Sequence, residues 1–396
     1  MARRVFMTVA EVSGDKHAAQ LIQSLRKLDP EIIIEGLGGP RMMAAGATIH
    51  RDTVTKATMG WRGIFRASEV MDALRWTRKH FAANPPDLQI GVDSPSMNFH
   101  FAKVAREMNI PVLQYVAPQL WAWATWRMKK LRRWVDQVAC ILPFEEAYFR
   151  SHGVNATFVG HPLFDELPPG RGDAAGPAFP DRPPVIGLLA GSRKSEAEAN
   201  FSGLLDAAEQ IRRDFPDATL LVPTTPATAP IVDREIARRG TQNITAGVDQ
   251  FDVMVPRCDL CMTVSGTATL HVASFGVPML VVYRVSRLAW NAAGRWLVPT
   301  RTFALVNLLA ASNPTDQTNA SRADHIVPEF VPWHGSGEPL ARTALDLLHH
   351  PEKLAAQREK LRTLVESLDH PGASDKTARL ALDMIDRRGK TRVRAM

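Results

Sequence analysis

The chain has 396 residues, too many for one hydrophobic core, so at least two domains are expected. Apolar residues make up 45% and charged residues 22%, as in soluble globular proteins. The net charge of +7 is modest for this length. A positive charge of this size is compatible with phosphorylated substrates, an anionic membrane or nucleic acid as partners. It is equally compatible with a mildly basic protein that has no such partner.

Three cysteines in so long a chain favour a reducing compartment. Cys258 and Cys261 have CxxC spacing, but no second Cys/His pair follows at metal spacing, so buried structural side chains are expected. No signal peptide is apparent after Arg3-Arg4. The longest uncharged run, 260–283, contains a Gly-Val-Pro break and fits a helix plus a strand better than a membrane span. We therefore expect a cytoplasmic protein.

Buried-strand patterns recur along the first half, each followed by a turn and a helix. This alternation predicts a doubly wound parallel sheet, which binds ligands where its strands end. The predicted strands cover 4–10, 31–37, 87–92, 110–116, 139–142 and 156–159. The turn after the first strand, Glu11-Val12-Ser13-Gly14-Asp15, lacks the GxGxxG spacing of a dinucleotide site.

Two polar residues follow later strands of this half. Asp93 comes directly after the 87–92 strand, where it could act as a general base or substrate anchor, or could simply cap the next helix. His161 lies between Gly160 and Pro162, which would fix its ring at the edge of a cleft.

Tryptophan and basic residues alternate between Trp121 and Trp134. This pattern fits stacking on a nucleic acid, seating at a membrane surface, or a helix whose aromatic side is core and whose basic side is solvated. A similar apolar and basic mixture at 59–66 makes a membrane-facing surface more credible.

A Pro/Gly-rich stretch without periodic pattern separates the two halves. We expect a first domain at 1–166, a linker at 167–184, a second Rossmann-like domain at 185–345, and C-terminal helices at 346–396 that pack back on the first domain. The pattern predicts α/β architecture, with two doubly wound domains facing across a cleft that holds the active site.

Two turns of the second domain could bind an anion. Gly191-Ser192-Arg193 follows a strand at 185–189 and could place a guanidinium beside backbone N–H groups, or present a solvated surface arginine. Ser265-Gly266-Thr267-Ala268 lies between the strand 259–263 and a short helix, whose N-terminus suits a pyrophosphate or an ordinary N-cap.

With these motifs in place, the chain resembles the bacterial lipid-A-disaccharide synthases, inverting glycosyltransferases of the two-Rossmann GT-B fold. The resemblance rests on the order and spacing of many short motifs rather than on any one of them. These motifs are Glu11-Val-Ser13-Gly14-Asp15, Gly38-Gly39-Pro40-Arg41-Met42, Met59-Gly60, Val92-Asp93-Ser-Pro95, Tyr115-Val-Ala-Pro118, Trp121-Ala-Trp123, Leu142-Pro143-Phe144-Glu145, Gly160-His161-Pro162, Gly191-Ser192-Arg193, Ser265-Gly266-Thr267-Ala268, Tyr283-Arg284 and Asn307-Leu308-Leu309.

The resemblance implies transfer of a diacylglucosamine unit from UDP to diacylglucosamine 1-phosphate, in lipid A biosynthesis, with release of UDP. It implies that catalysis needs no metal or other cofactor, that no nucleic acid is bound, and that the protein associates peripherally with the inner face of the cytoplasmic membrane. It leaves a homodimer open.

The resemblance also assigns roles to residues of this chain. Asp93 and Glu11 are the expected catalytic residues, and Asp93 is the candidate to activate the acceptor hydroxyl. The expected UDP-binding residues are Gly191, Ser192, Arg193, Ser265, Gly266, Thr267, Ala268, His271 and Asn307. The expected acceptor or cleft residues are Ser13, Gly14, Trp121 and His161.

The chain departs from the family pattern at several of these turns. The departures are Ala10, Gly63, Ser96, Ala117, His271 and an extra polar segment at 311–325. The family has a glutamate in place of His271, expected to accept hydrogen bonds from the ribose hydroxyls. We expect His271→Glu to tighten UDP binding, because a carboxylate accepts from two vicinal hydroxyls better than an imidazole does.

Two alternatives to an active enzyme stay open from the sequence. A catalytically impaired, membrane-associated nucleotide-sugar binder would explain the departures in the cleft. A nucleic-acid-binding protein would rest only on the charge and the tryptophans.

Overall fold

The computed structural model describes residues 2–55, 63–122, 125–167, 179–284, 302–311, 325–368 and 370–395. They form two compact units, the first from 1–166 with 369–396 and the second from 167–368. Each unit is described by itself below.

The first unit contains a parallel sheet of seven strands. In chain order they are β1 (Arg4–Thr8), β2 (Ile33–Gly38), β3 (Thr48–Asp52), β4 (Leu88–Val92), β5 (Val112–Tyr115), β6 (Gln137–Cys140) and β7 (Ala156–Phe158). Their order across the sheet is β3-β2-β1-β4-β5-β6-β7. The sequence order therefore reverses between β1 and β4, and such a switch point opens a crevice outside the carboxyl ends of those strands.

Helices connect these strands. They are α1 (Val12–Leu28), α2 (Pro40–Ala44), α3 (Gly63–Ala83), α4 (Pro95–Glu107), α5 (Met128–Trp134), α6 (Pro143–Ser151) and α7 (Leu163–Glu166). The central strands are buried along nearly their whole length, as expected for a parallel sheet with helices on both faces.

The second unit repeats this plan with six parallel strands. They are β8 (Val185–Leu189), β9 (Thr219–Thr224), β10 (Ile244–Val248), β11 (Leu260–Val264), β12 (Met279–Arg284) and β13 (Glu329–Trp333), in the order β10-β9-β8-β11-β12-β13. The switch point lies between β8 and β11, the two strands that precede the predicted anion-binding turns.

The helices of the second unit, with the last helix of the chain, follow the same alternation. They are α8 (Lys194–Asp214), α9 (Ala229–Arg239), α10 (Phe251–Met254), α11 (Thr267–Ser274), α12 (Leu305–Ala310), α13 (Glu338–His349), α14 (Pro351–Leu368) and α15 (Ala373–Ala395). The predicted sequence of strand, tight turn, short helix, Gly-Pro break and strand is present at β11, α11 and β12.

The C-terminal helices divide between the units, so the compact units do not separate at residue 346. Helix α14 belongs to the second unit, because Leu354 joins its core and the Gln357 side chain accepts a 2.7 Å hydrogen bond from the Met279 N–H. Helix α15 belongs to the first unit, where Ala378 and Ala381 pack into the core that contains the apolar stripe of α1. The chain therefore passes from one unit to the other twice.

All three cysteines are free and buried. Burial raises the pKa of the Cys261 thiol well above its usual range, as suits a small core side chain rather than a reactive one. Within the described residues, every helix is too short or too polar to cross a bilayer.

Gly203 tests the packing of the second unit, and Gly389, a helical glycine of the first unit, is its control. A Cβ on Gly203 in α8 would lie 2.6 Å from the Gly335 carbonyl oxygen and 2.6 Å from the Trp333 ring, whereas a Cβ on Gly389 in α15 would meet nothing within 4 Å. We expect Gly203→Ala to lower the free energy of unfolding by about 1–3 kcal/mol. Gly389→Ala should raise it by roughly 0.5–1 kcal/mol, since glycine is a poor helix former. Chemical denaturation of both variants checks this, and equal effects would contradict the packing.

Candidate functional site

The switch point of the first sheet is flanked by the two predicted catalytic residues. Glu11 follows β1 and is the N-cap residue of α1, while Asp93 follows β4 and precedes α4. Because β1 and β4 are hydrogen-bonded neighbours, the turns that carry these residues leave the same edge of the sheet side by side.

Asp93 and Ser94 adopt a strained backbone, with φ of 52° and 39°. Left-handed conformations cost a non-glycine residue about 1–2 kcal/mol, so the surrounding structure must hold them. Two amide side chains do so: Asn98 Nδ2 donates to the Asp93 carbonyl oxygen at 2.6 Å, and Gln114 Nε2 donates to the same oxygen at 3.2 Å. Both amides are buried. The strain is therefore fixed by the sheet and by α4.

The Asp93 carboxylate faces the start of α1. Ser13 Oγ donates to Asp93 Oδ2 at 3.0 Å, and the Ser94 N–H donates to Oδ1 at 2.8 Å. Gly14 allows this approach, because a Cβ there would lie 3.0 Å from Val9 Cγ1 and 3.4 Å from Asp93 Cβ. Of the predicted acceptor residues, Ser13 therefore contacts Asp93 directly, and Gly14 makes room for it.

Two histidines of the first unit are kept neutral. Burial lowers the pKa of His161 to about 3, and its Nδ1 accepts the Leu163 N–H at 3.2 Å. Burial also lowers the pKa of His17, although the Asp93 and Glu166 carboxylates oppose this. The sequence analysis missed His17. Its spacing of four residues from Ser13, which places both on one face of α1, was the available signal.

Trp121, one of the predicted acceptor or cleft residues, is held inside the first unit. It is buried, and its ring nitrogen donates to Glu145 Oε1 at 3.1 Å. Burial raises the pKa of Glu145 to about 7, while hydrogen bonds from Trp121 and from the Ile141 and Leu142 N–H groups oppose that rise. Trp121 is thus part of the core beneath the α6 turn.

The Gly191-Ser192-Arg193 turn lies at the switch point of the second sheet, but its donors are engaged within the chain. Glu196 Oε2 accepts the Ser192 N–H at 3.0 Å and the Arg193 N–H at 3.3 Å, while Oε1 pairs with Arg193 Nη1 at 2.9 Å. Gly191 has φ of 106°, and a Cβ there would lie 2.5 Å from the Glu196 carboxylate. These two N–H groups are therefore engaged within the chain. They cap α8 through the glutamate three residues into the helix.

The Ser265-Gly266-Thr267-Ala268 turn is more open. Helix α11 has no side-chain cap, since Ser265 Oγ donates to the Phe303 carbonyl and Thr269 Oγ1 donates to the Gly266 carbonyl. Gly266 has φ of 153°, and a Cβ there would meet nothing within 4 Å. The start of this eight-residue helix therefore keeps space in front of it for an anion.

His271 lies one turn further along α11 in a pocket that the sequence did not predict. Its ring stacks on Phe251, with centroids 4.3 Å apart, and on Phe275 at 5.4 Å. Its Nε2 lies 2.8 Å from Asp252 Oδ1. Phe251 and Asp252 of α10 thus contact His271. The Asp252 carboxylate lies beside the position where the resemblance implies a glutamate.

Asn307 supports the site without presenting its amide. It is buried, its Nδ2 donates to the Val327 carbonyl at 2.8 Å and to Glu329 Oε1 at 2.7 Å, and its Oδ1 accepts the Val327 N–H at 2.9 Å. Glu329 in turn accepts the Phe303 and Ala304 N–H groups at the start of α12. The Asn307 amide is thus engaged within the chain, and direct binding of UDP by Asn307 stays a prediction. Its amide fixes the segment to which Ser265 is bonded.

Comparison with known proteins identifies the family of the chain. The LpxB family, described as lipid-A-disaccharide synthetase, matches residues 5–381. The lipid-A-disaccharide synthase of Geobacter sulfurreducens is 33% identical over 392 residues, which cover 97% of this chain and 98% of that protein. The enzyme of the same name from Geobacter metallireducens is 33% identical over 393 residues, which cover 98% of each. Nothing in these matches favours an impaired paralogue.

Solved structures confirm the fold class. Acinetobacter baumannii MurG superposes with a TM-score of 0.55 over 96% of this chain and 99% of its own, at 14% identity. That likeness concerns the fold alone, two Rossmann-like domains of the GT-B type. With the family match over nearly the full length, the chain belongs to the lipid-A-disaccharide synthetase family and is a glycosyltransferase.

Proposed function

We propose that this chain transfers a diacylated glucosamine from UDP to the hydroxyl of a diacylglucosamine 1-phosphate, with inversion at the anomeric carbon. The observation that carries the proposal is the strained Asp93 turn at the first switch point, supported from below by two buried amides. Strain of this kind persists where function requires a fixed side-chain direction.

In this proposal Asp93 is the general base. The acceptor hydroxyl loses its proton to the Asp93 carboxylate, its oxygen forms a bond to the anomeric carbon, and the bond from that carbon to the diphosphate of UDP breaks. Ser13, which donates to Asp93 Oδ2, orients the carboxylate. The neutral His17 adds no positive charge that would stabilise the ionised base and weaken it.

The departing diphosphate gains negative charge, and the second unit offers two ways to stabilise it. The N-terminus of α11 supplies uncapped backbone donors and the positive end of the helix dipole. Arg193 supplies a guanidinium whose ion pair with Glu196 is exposed, and such pairs contribute little, so the side chain can turn to a phosphate at small cost. In this proposal, the α11 N-terminus and Arg193 together stabilise the charge on the diphosphate without a metal ion.

The proposal includes peripheral binding to the inner face of the cytoplasmic membrane, where the lipid acceptor lies. Helix α5 buries Met128 and Leu131, leaves four cations exposed, and has Trp126 61% exposed just before it. The exposed cations are Lys129, Lys130, Arg132 and Arg133. A basic face with an exposed tryptophan suits an anionic membrane surface. The 59–66 patch lies largely outside the described residues, and the proposal leaves a homodimer open.

Asp93→Asn tests the general base with an isosteric change. The turn should remain folded, because the amide oxygen can still accept the Ser94 N–H, but kcat should fall by about 10²–10⁴-fold. The measurement is UDP release from UDP-diacylglucosamine and diacylglucosamine 1-phosphate. Asp217→Asn, on an exposed surface, is the control. Undiminished turnover by the Asp93 variant would rule out its role.

Arg193→Gln tests the diphosphate site. Removing the guanidinium should raise KM for the UDP-linked donor by about ten-fold or more, since a charged hydrogen bond contributes about 1.5–3 kcal/mol, while KM for the acceptor stays the same. The exposed Arg234→Gln is the matched control for lost charge. A rise in the acceptor KM alone would argue against the assignment.

The expectation for His271→Glu changes with the structure. A glutamate there would face the Asp252 carboxylate, which lies 2.8 Å from the present Nε2, and like charges at that distance repel. The single variant should therefore bind UDP more weakly than the native chain, and the double variant His271→Glu/Asp252→Asn should bind it more tightly than the single one. Calorimetric titration with UDP measures both. Equal affinity of the two variants would exclude any influence of Asp252 on the site.

A further inference from the structure

A second cluster of titratable side chains lies outside the site described above. Glu35 is on β2, His50 on β3 and His80 on α3, which packs against that side of the sheet through Phe6 and Phe81. One ligand atom from each residue lies within 4.8 Å of the other two. In the sheet, β2 is two positions away from β4, whose end carries Asp93.

The three side chains converge on one small volume. Glu35 Oε2 lies 2.9 Å from His50 Nε2, and Glu35 Oε1 lies 3.1 Å from His80 Nε2. The side chains of Glu35 and His80 are 7% and 12% exposed, whereas that of His50 is 25% exposed and leaves a path to solvent. The cluster is thus partly enclosed and accessible to an ion from one side.

Aromatic packing fixes the directions of both imidazoles. Trp76 stacks on His80 with centroids 4.8 Å apart and an interplanar angle of 13°, and it also contacts His50 at 4.8 Å. Phe6 lies against the other side of His80 at 5.8 Å. Rings held in this way lose little freedom when they bind an ion, which favours affinity.

Two arginines lie close to this cluster. Arg4 Nη1 lies 3.1 Å from Glu35 Oε1, so one cation already competes for the carboxylate. The nearby Arg51 is paired with Asp72.

We propose that Glu35, His50 and His80 form a binding site with three protein ligands for a divalent transition-metal ion of the zinc class. Two imidazole nitrogens and one carboxylate oxygen are a donor set that zinc accepts, whereas magnesium and calcium prefer oxygen donors. Ligands in a tetrahedral zinc site lie about 3.4 Å apart, from metal–ligand bonds near 2.1 Å. The separations of 2.9 and 3.1 Å, each to a different oxygen of Glu35, would widen slightly, and the three ligand atoms all lie within 4.8 Å of one another.

The ion would join β2, the edge strand β3 and α3. It would therefore stabilise the fold of the first unit and would not touch the reacting groups, so the proposal stands or falls independently of the transfer reaction. Water is available as the fourth ligand on the exposed side of His50.

The test uses the full chain without an affinity tag, stripped of metal with a chelator and then titrated with Zn²⁺ alone and with Co²⁺ alone. We expect one ion per chain, a visible absorption band of tetrahedral Co²⁺, and a higher midpoint of thermal unfolding with Zn²⁺. His50→Gln and His80→Gln should each weaken Zn²⁺ binding by at least about ten-fold. Loss of a residue that only hydrogen-bonds to a metal ligand already costs that much affinity. His100→Gln, an exposed histidine on α4, is the control and should bind as the native chain does.

A fourth variant keeps the test decisive if a histidine variant fails to fold. Arg4→Gln removes the competing cation while leaving all three ligands, so it should bind Zn²⁺ more tightly than the native chain. Absence of the Co²⁺ band in the native chain, or equal Zn²⁺ affinity of the native, His50→Gln and His80→Gln chains, would overturn the proposal.

Discussion

The carbonyl oxygen of Asp93 accepts hydrogen bonds from two buried side-chain amides, and these amides link the turn to three elements of the first unit. Asn98 and Gln114 reach it from α4 and β5, on either side of the turn. Asn98 is itself fixed by Thr8 of β1, whose hydroxyl donates to its amide oxygen at 2.8 Å. The left-handed turn, its neighbouring strands and the direction of the Asp93 carboxylate therefore depend on one connected polar layer inside an apolar sheet.

The sequence predicted the central strands and missed three others, and the difference is physical. Strands β1, β4, β8 and β11 are covered on both faces, so each reads as a mostly apolar run. Strands β3, β10 and β13 are three of the four edge strands, with mixed exposure along each and Pro332 within β13. Edge strands carry fewer apolar residues and tolerate proline, and their pattern is therefore weak.

The positions of the site were predictable, but its contacts were not. Asp93, Arg193 and Ser265 follow predicted strands, and the structure places these strand ends at the two switch points. In a doubly wound sheet the crevice opens at those strand ends. What each side chain or backbone group touches depends on residues distant in sequence or on competing local hydrogen-bond acceptors. Asp252 beside His271 is the clearest case of the first kind, and Glu196, which takes the N–H groups of its own turn, is the clearest of the second.

The return of α15 to the first unit has a consequence for how the chain folds as it is made. The apolar stripe of α1, including Leu21 and Ile22, forms one core with Ala378 and Ala381, more than 350 residues later. During synthesis the first 166 residues emerge with this stripe uncovered, and it stays so until the second unit has been completed. The second unit can reach its native core first, and the earlier-made unit is finished last.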